Sequence, residues 1–186
     1  MRRKFMWLAL CVAAIGVAAL YHAESARATT ASGFSGTPLI PFPGGFATFQ
    51  EFQVFNHLNH NQLRQLAPGF PDANWFAFEK TKGPSDLYLL NNTWQPGGST
   101  GWHRHPGHSL IVITSGQVTQ YHADCKPEVY GPGTANGSTL VDSGNDEHLI
   151  RNESHAIATG IAVQLVANGA PRRIDVVTAP ATCPIL

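Results

Sequence analysis

The stretch Gly97-Gly98-Ser99-Thr100-Gly101-Trp102-His103-Arg104-His105-Pro106-Gly107 decides how this chain is read. Successive side chains of an extended strand point to opposite faces, so His103 and His105 lie side by side on one face and Trp102 faces the other way. Two imidazoles on one face are how a β scaffold presents a pair of ligands to a metal ion. A third candidate, His148, lies in a second run, Gly137-Ser138-Thr139-Leu140-Val141-Asp142-Ser143-Gly144-Asn145-Asp146-Glu147-His148-Leu149-Ile150-Arg151-Asn152.

Together the two runs resemble the paired motifs of the cupin superfamily. The first motif of that family runs Gly, five residues, His-x-His, three or four residues, Glu, six residues, Gly. Gly97, His103, His105 and Gly116 stand at those positions, and Ser109 occupies the place of Glu. The second motif runs Gly, five residues, Pro-x-Gly, two residues, His, three residues, Asn. Gly137, His148 and Asn152 match it, while Ser143 and Asn145 replace Pro and Gly. Asn adopts left-handed backbone more readily than most residues, so the turn survives that exchange. The resemblance implies an all-β fold, the antiparallel double-stranded β-helix or jelly-roll barrel, with His103, His105 and His148 as metal ligands.

The rest of the sequence leads to the same fold class by another route. From Asp86 onward, short apolar runs are separated by Gly, Pro, Asn and Asp: Leu87 to Leu90, Leu110 to Ile113, Gln117 to Tyr121, Thr139 to Val141, Leu149 to Arg151, Ile157 to Val166 and Ile174 to Val177. Strands of this length and spacing build a sandwich or barrel. Residues 29–50, rich in Gly, Pro, Ser and Thr with scattered Phe, read as an irregular arm suited to packing across a partner in a homodimer. A short helix is expected from Asn59 to Ala67, capped by Asn59 and closed near Pro68-Gly69. The expected organisation is thus residues 1–28 as an export signal, 29–80 as arm and lead-in, and 81–186 as barrel.

The lost Glu directs attention to His122. A two-residue turn at Ser115-Gly116 would pair Thr114 with Gln117 and Ser109 with His122, turning His122 inward beside the place where the carboxylate is missing. His122 would then serve as a fourth ligand or a proton shuttle. A three-residue turn would bring Tyr121 or Ala123 inward instead. Parity places Trp102 and His108 outside the ligand set, and His57, His60 and His155 read as surface histidines. Asn152 reads as a residue that holds a backbone turn by hydrogen bonding.

The N-terminus carries Arg2, Arg3 and Lys4, an apolar run from Phe5 to Leu20, and Ala26-Arg27-Ala28, the three parts of an export signal with cleavage after Ala28. Arg2-Arg3-Lys4-Phe5-Met6 also resembles a twin-arginine signal, which carries proteins already folded. The expected location is therefore periplasmic or extracellular, with no membrane attachment after cleavage. Removing residues 1–28 takes away four basic residues and one acidic residue from 12 and 12, leaving 8 and 11. That acidic balance excludes nucleic acid as a partner. The two remaining cysteines, Cys125 and Cys183, form an even pair, and in an exported protein such a pair is expected as a disulfide.

Three neutral imidazoles suit a divalent transition metal: Fe, Mn, Cu, Ni or Zn. Without a carboxylate the ion would keep its full charge and favour a small anionic ligand. Three functions follow. One is a metal-dependent oxygenase acting on a small organic substrate. The others are a barrel that captures a small molecule without turnover, and a structural barrel whose histidines are satisfied by hydrogen bonds.

Overall fold

The computed structural model describes residues 29–59, 61, 62, 65 and 75–183. The expected export signal, His60 and much of the expected helix lie outside those residues. The helix start is within them. The Gln62 amide donates to Asn59 Oδ1 at 3.1 Å and the Asn59 amide donates to Gln62 Oε1 at 3.0 Å, a reciprocal capping box.

The described residues form strands β1 (Ser32–Pro38), β2 (Phe46–Phe49), β3 (Gln53–Leu58), β4 (Trp75–Lys80), β5 (Ser85–Ser99), β6 (His103–Arg104) and β7 (Ser109–Ser115). They continue with β8 (Val118–His122), β9 (Pro127–Tyr130), β10 (Thr139–Asp142), β11 (His148–Arg151), β12 (Ala158–Ala167) and β13 (Ile174–Asp175). All pairings are antiparallel, and the main sheet runs β10-β7-β12-β5-β11-β6-β13. It curls into a nearly closed jelly-roll barrel, as the alternation of short apolar runs predicts. β3 and β4 form a separate hairpin with Phe55, Phe76 and Phe78 exposed.

Alternation decides which side chains fill the barrel. On β7, Ser109, Ile111 and Ile113 are buried while Leu110 and Val112 are exposed. The interior packs Leu90, Trp94, Ile111, Ile113, Val118, Leu140 and Ile150 into one cluster. A second cluster lies outside the barrel wall, where Trp102, Tyr121 and Leu149 are covered by Cys183 of the C-terminal tail. Trp102 is fully buried there, on the face opposite the histidines, as parity requires.

Two expectations are corrected. Residues 29–50 supply β1 and β2, which pair with β5. β1 escapes pattern reading because its Ser-Gly-Phe-Ser-Gly-Thr-Pro sequence buries little side chain and is held by its backbone ladder. Phe34 of this segment packs on the chain's own Trp94, with ring centroids 5.2 Å apart. The second correction concerns Ser115-Gly116, which does not close a hairpin. β7 pairs with β10 and β12, whereas β8 pairs with β9 and β11, so at Gly116 the chain passes from one part of the barrel sheet to another. Gly116 has φ 68°, and a Cβ there would lie 2.6 Å from the Ile157 carbonyl oxygen.

Cys125 and Cys183 are joined by a disulfide that ties the tail to the turn after β8. Closing a loop across a separation of 58 residues restricts the unfolded chain by about 4 kcal/mol on the loop-entropy relation. The paired substitution Cys125→Ser/Cys183→Ser should therefore lower unfolding free energy by roughly 2–4 kcal/mol in urea titrations. An unchanged midpoint would remove this constraint as a source of stability.

Candidate metal centre

The two motif runs are stitched together through their backbones before any side chain takes part. The Gly97 amide donates to the Asn152 carbonyl and the Asn152 amide to the Gly98 carbonyl, each at 2.8 Å. The Thr100 amide donates to the Ile150 carbonyl, and the Ile150 amide returns a bond to Thr100 Oγ1, both at 2.9 Å. Asn152 is fully buried, with its side-chain amide donating to the Trp94 and Ala156 carbonyls. It holds the turn and does not approach the histidines, as expected.

These bonds bring His103 of β6 opposite His148 of β11 in register. His103, His105 and His148 are all buried, and their candidate ligand nitrogens lie within 4.8 Å of one another. Each ring is oriented through Nδ1. His103 Nδ1 meets the Gly101 carbonyl at 2.9 Å, His105 Nδ1 the Arg172 carbonyl at 2.8 Å, and His148 Nδ1 the Asp146 carbonyl at 3.0 Å. A carbonyl oxygen only accepts, so each Nδ1 carries the proton and each Nε2 of a neutral ring presents a bare lone pair. Gly101 is required for the first of these contacts. At φ 67° it leaves the Thr29 carbonyl where a Cβ would come within 2.0 Å.

Burial keeps the rings neutral. Desolvation, reinforced by His148 and Arg173, holds His103 well below its ordinary pKa. Desolvation lowers His105 to about 4, although its bond to the Arg172 carbonyl and the nearby Asp142 oppose this. Desolvation also lowers His148, against the pull of Asp142 and the Asp146 carbonyl.

A residue missed in the sequence lies beside the cluster. Asp142, on β10, stands directly opposite Ser109 of β7. It is buried, and its Oδ2 lies 3.5 Å from His105 Nε2 and 3.9 Å from His148 Nε2. Ser109 Oγ is 3.5 Å from the same oxygen and accepts from Gln164 Nε2 at 3.1 Å. Asp142 Oδ1 accepts the Gly144 amide at 2.8 Å, shaping the turn in which Asn145 takes the left-handed conformation at φ 51°. The Asn145 amide in turn donates to the His105 carbonyl at 2.6 Å. Asp86, another buried acid, differs: Thr48, Asn168 and the Gly169 amide all donate to its carboxylate. The signal for Asp142 was present in sequence, since it shares parity with the buried Leu140 and sits where an inward side chain is due.

His122 is placed differently from its expected register. It stands opposite His148 on β11 rather than opposite Ser109, because β8 does not pair with β7. Its ring centroid is 6.4 Å from that of His148, its side chain is a third exposed, and Nδ1 bonds Asp146 Oδ2 at 2.7 Å. It occupies the rim. Tyr121 turns the other way, into the Trp102 cluster, with its hydroxyl donating to Glu153. His108 pairs with Glu79 at 3.6 Å, while His57 and His155 are exposed.

The histidines end a cavity of about 40 Å³ whose other walls include Phe34, Trp94, Ile111, Arg172 and Arg173. Arg173 donates to the Thr100 carbonyl and pairs with Asp175. Arg172 has neither carboxylate nor hydrogen-bond acceptor for its guanidinium among the described residues. Burial and the adjacent Arg173 lower its pKa. A larger concavity of about 530 Å³ lies outside the barrel between β4 and the end of β12, away from the histidine cluster.

No family model and no curated protein matches the sequence. Similar solved structures include a cupin superfamily protein from Desulfitobacterium hafniense, at 15% identity over 43% of this chain and 67% of that one, with TM-score 0.37. The polyketide cyclase RemF from Streptomyces resistomycificus is 19% identical over 50% of this chain and 64% of that one, with TM-score 0.41. A predicted oxalate decarboxylase from Thermotoga maritima is 18% identical over 46% of this chain and 83% of that one, with TM-score 0.37. These are likenesses in fold. The described residues form an all-β, nearly closed antiparallel barrel with a buried three-histidine group that could hold a metal ion.

The lowered histidine pKa values fix the sign of a pH dependence. Below 6.5 the unfolded chain takes up a proton on His105 that the folded chain refuses until about pH 4, so stability is present above 6.5 and falls through that window. For His105 alone the loss is about 3 kcal/mol. Melting curves of metal-free protein between pH 7 and 4 should show this decline, and His105→Gln should flatten it. Equal slopes in the two proteins would contradict a buried neutral His105.

Proposed function

We propose that this chain is an exported metalloprotein in which His103, His105 and His148 bind a divalent transition metal and Asp142 supplies the carboxylate that Ser109 lacks. One observation carries the reading: the Nε2 lone pairs of the three histidines converge with no donor among the described residues, and Asp142 Oδ2, which Ser109 Oγ reaches at 3.5 Å, stands beside two of them. Electron pairs gathered without a donor are mutually repulsive, and a cation relieves that. Nitrogen and oxygen donors of this kind suit Fe, Mn, Cu, Ni or Zn. The group would supply Lewis acidity, and with Fe, Mn or Cu also redox chemistry toward dioxygen.

The activity this donor set supports best is oxygenation of a small organic acid. The chain's own residues divide the remaining work. Leu90, Ile111 and Ile150 form the apolar part of the cavity wall. Ser109, itself bonded by Gln164, orients Asp142. His122, a third exposed and bonded to Asp146 at the rim, is the candidate to exchange protons with solvent. The Cys125–Cys183 bond is compatible with an oxidising compartment outside the cytoplasm. A second reading, capture of a small molecule without turnover, is favoured by the modest cavity of about 40 Å³.

Elemental analysis of protein purified without added metal or chelator tests the centre. Near-stoichiometric metal is expected, lost in His103→Ala/His105→Ala/His148→Ala. Asp142→Asn should weaken metal affinity by about 10–100-fold, as removal of a positioned carboxylate does elsewhere. Metal retained in the triple variant would overturn the assignment. Oxygen uptake that requires both metal and an added small acid would separate the oxygenase from the capture reading.

A further inference from the structure

We infer that the cavity over the histidines is built for a small carboxylate of two or three carbons, with the Arg172 guanidinium pairing its negative charge. The inference deepens the proposed function and rests on its reading of this cavity as the working site.

Arg172 follows β12 and reaches the barrel end immediately before β13. Its backbone serves one neighbour and its side chain is left for another. The carbonyl accepts the His105 Nδ1 proton at 2.8 Å, which fixes the residue beside a candidate ligand. Arg172 is half-buried and lines the cavity with His103, His105 and His148, its charge acts on the His105 ring, and no Asp or Glu among the described residues pairs with its guanidinium. Arg173 next to it adds a second positive charge but spends it on Asp175 and the Thr100 carbonyl. A half-buried guanidinium beside another cation is unfavourable unless an anion answers it, and its planar fork matches a carboxylate in two parallel hydrogen bonds.

A separate observation points to the same occupant. Three residues lining the cavity carry a buried polar atom without a hydrogen-bond partner among the described residues: Trp94 Nε1, Asn92 Oδ1 and Gln164 Oε1. Leaving such atoms unpaired costs about 1–3 kcal/mol each, so polar ligand groups are what they suit. The inventory is a cation, one neutral donor and two acceptors. A carboxylate answers the first two, and a hydroxyl on the same molecule answers an acceptor. A volume of about 40 Å³ holds about three water-sized groups. That favours a small acid such as acetate or glycolate over a larger one.

Calorimetric titration with glycolate, on wild type and on Arg172→Gln, tests this with metal content measured on the same samples. Arg172→Gln keeps the carbonyl that holds His105, so metal content should not change. Glycolate should bind wild type and lose at least tenfold in affinity in the variant, the scale of one charge-assisted pair. Arg172→Lys should fall between them, and glycolamide, of the same size without the charge, should bind no better to wild type than to Arg172→Gln. Equal glycolate affinity in wild type and Arg172→Gln, equal binding of glycolamide and glycolate, or no binding to wild type would each overturn the inference. Metal-loaded protein indifferent to glycolate would do so while leaving the metal reading intact. Protein that carries no metal as purified and still binds glycolate through Arg172 would uphold the inference while overturning the metal reading.

Discussion

Three backbone carbonyls, those of Gly101, Asp146 and Arg172, are the constraint on which the rest of this structure depends. Each takes the Nδ1 proton of one histidine and so leaves Nε2 bare in a water-poor interior. A side-chain acceptor could rotate away or protonate, whereas a carbonyl is fixed by the chain and cannot change its role. The loops that carry these carbonyls are therefore as much a part of the centre as the imidazoles. This accounts for glycine at 101, where any side chain would strike the Thr29 carbonyl and displace the oxygen that orients His103. It also gives the chain's last segment a function: Arg172 follows the last long strand, yet its carbonyl determines which nitrogen of His105 faces the cluster.

A lone-pair cluster of this kind needs rigid support. Rigidity comes from backbone bonds between the two motif runs, between Gly97, Gly98 and Thr100 on one side and Ile150 and Asn152 on the other. The Asn145 amide adds a tie to the His105 carbonyl. Because these are main-chain contacts, they tolerate exchanges of side chain that preserve conformation. Asn145 in the left-handed region is such an exchange, and Asp142 and Gly144 form the turn around it.

How much of this was legible depends on whether a feature is local. The inward set His103, His105, Ser109, Ile111 and Ile113 follows from parity along continuous chain, and every member is buried. The outward placement of Trp102 and the pairing of Cys125 with Cys183 were legible for the same reason, being consequences of one strand or of a count. The partner of Ser109 was not. It required knowing which strand lies beside β7, and the natural assumption, that strands joined by a two-residue link form a hairpin, fails where β7 and β8 take different neighbours in the barrel sheet. His122 was brought near the centre by the wrong pairing and stands near it by the right one, opposite His148 and at the rim. β1 and β2 were illegible because edge strands held by backbone bonds need no alternating pattern.

Ser109, where the motif that the sequence resembles carries Glu, then acquires a physical meaning on the proposed reading. A Glu there would reach into the cluster from β7; Asp142 reaches it from the adjacent strand at the same level, and the small Ser109 leaves the space. As proposed, the ligand carboxylate stands on β10 rather than on β7, level with Ser109. On the proposed reading this alters the charge argument made from sequence alone. Three neutral imidazoles would leave a divalent ion its full charge, whereas Asp142 reduces it by one, so the ion by itself attracts an anion less strongly. The remaining attraction lies with Arg172, at the same cavity but on a different segment. An ion that orients and an arginine that recognises are separable tasks, and the chain gives them to residues joined by one hydrogen bond, from His105 Nδ1 to the Arg172 carbonyl.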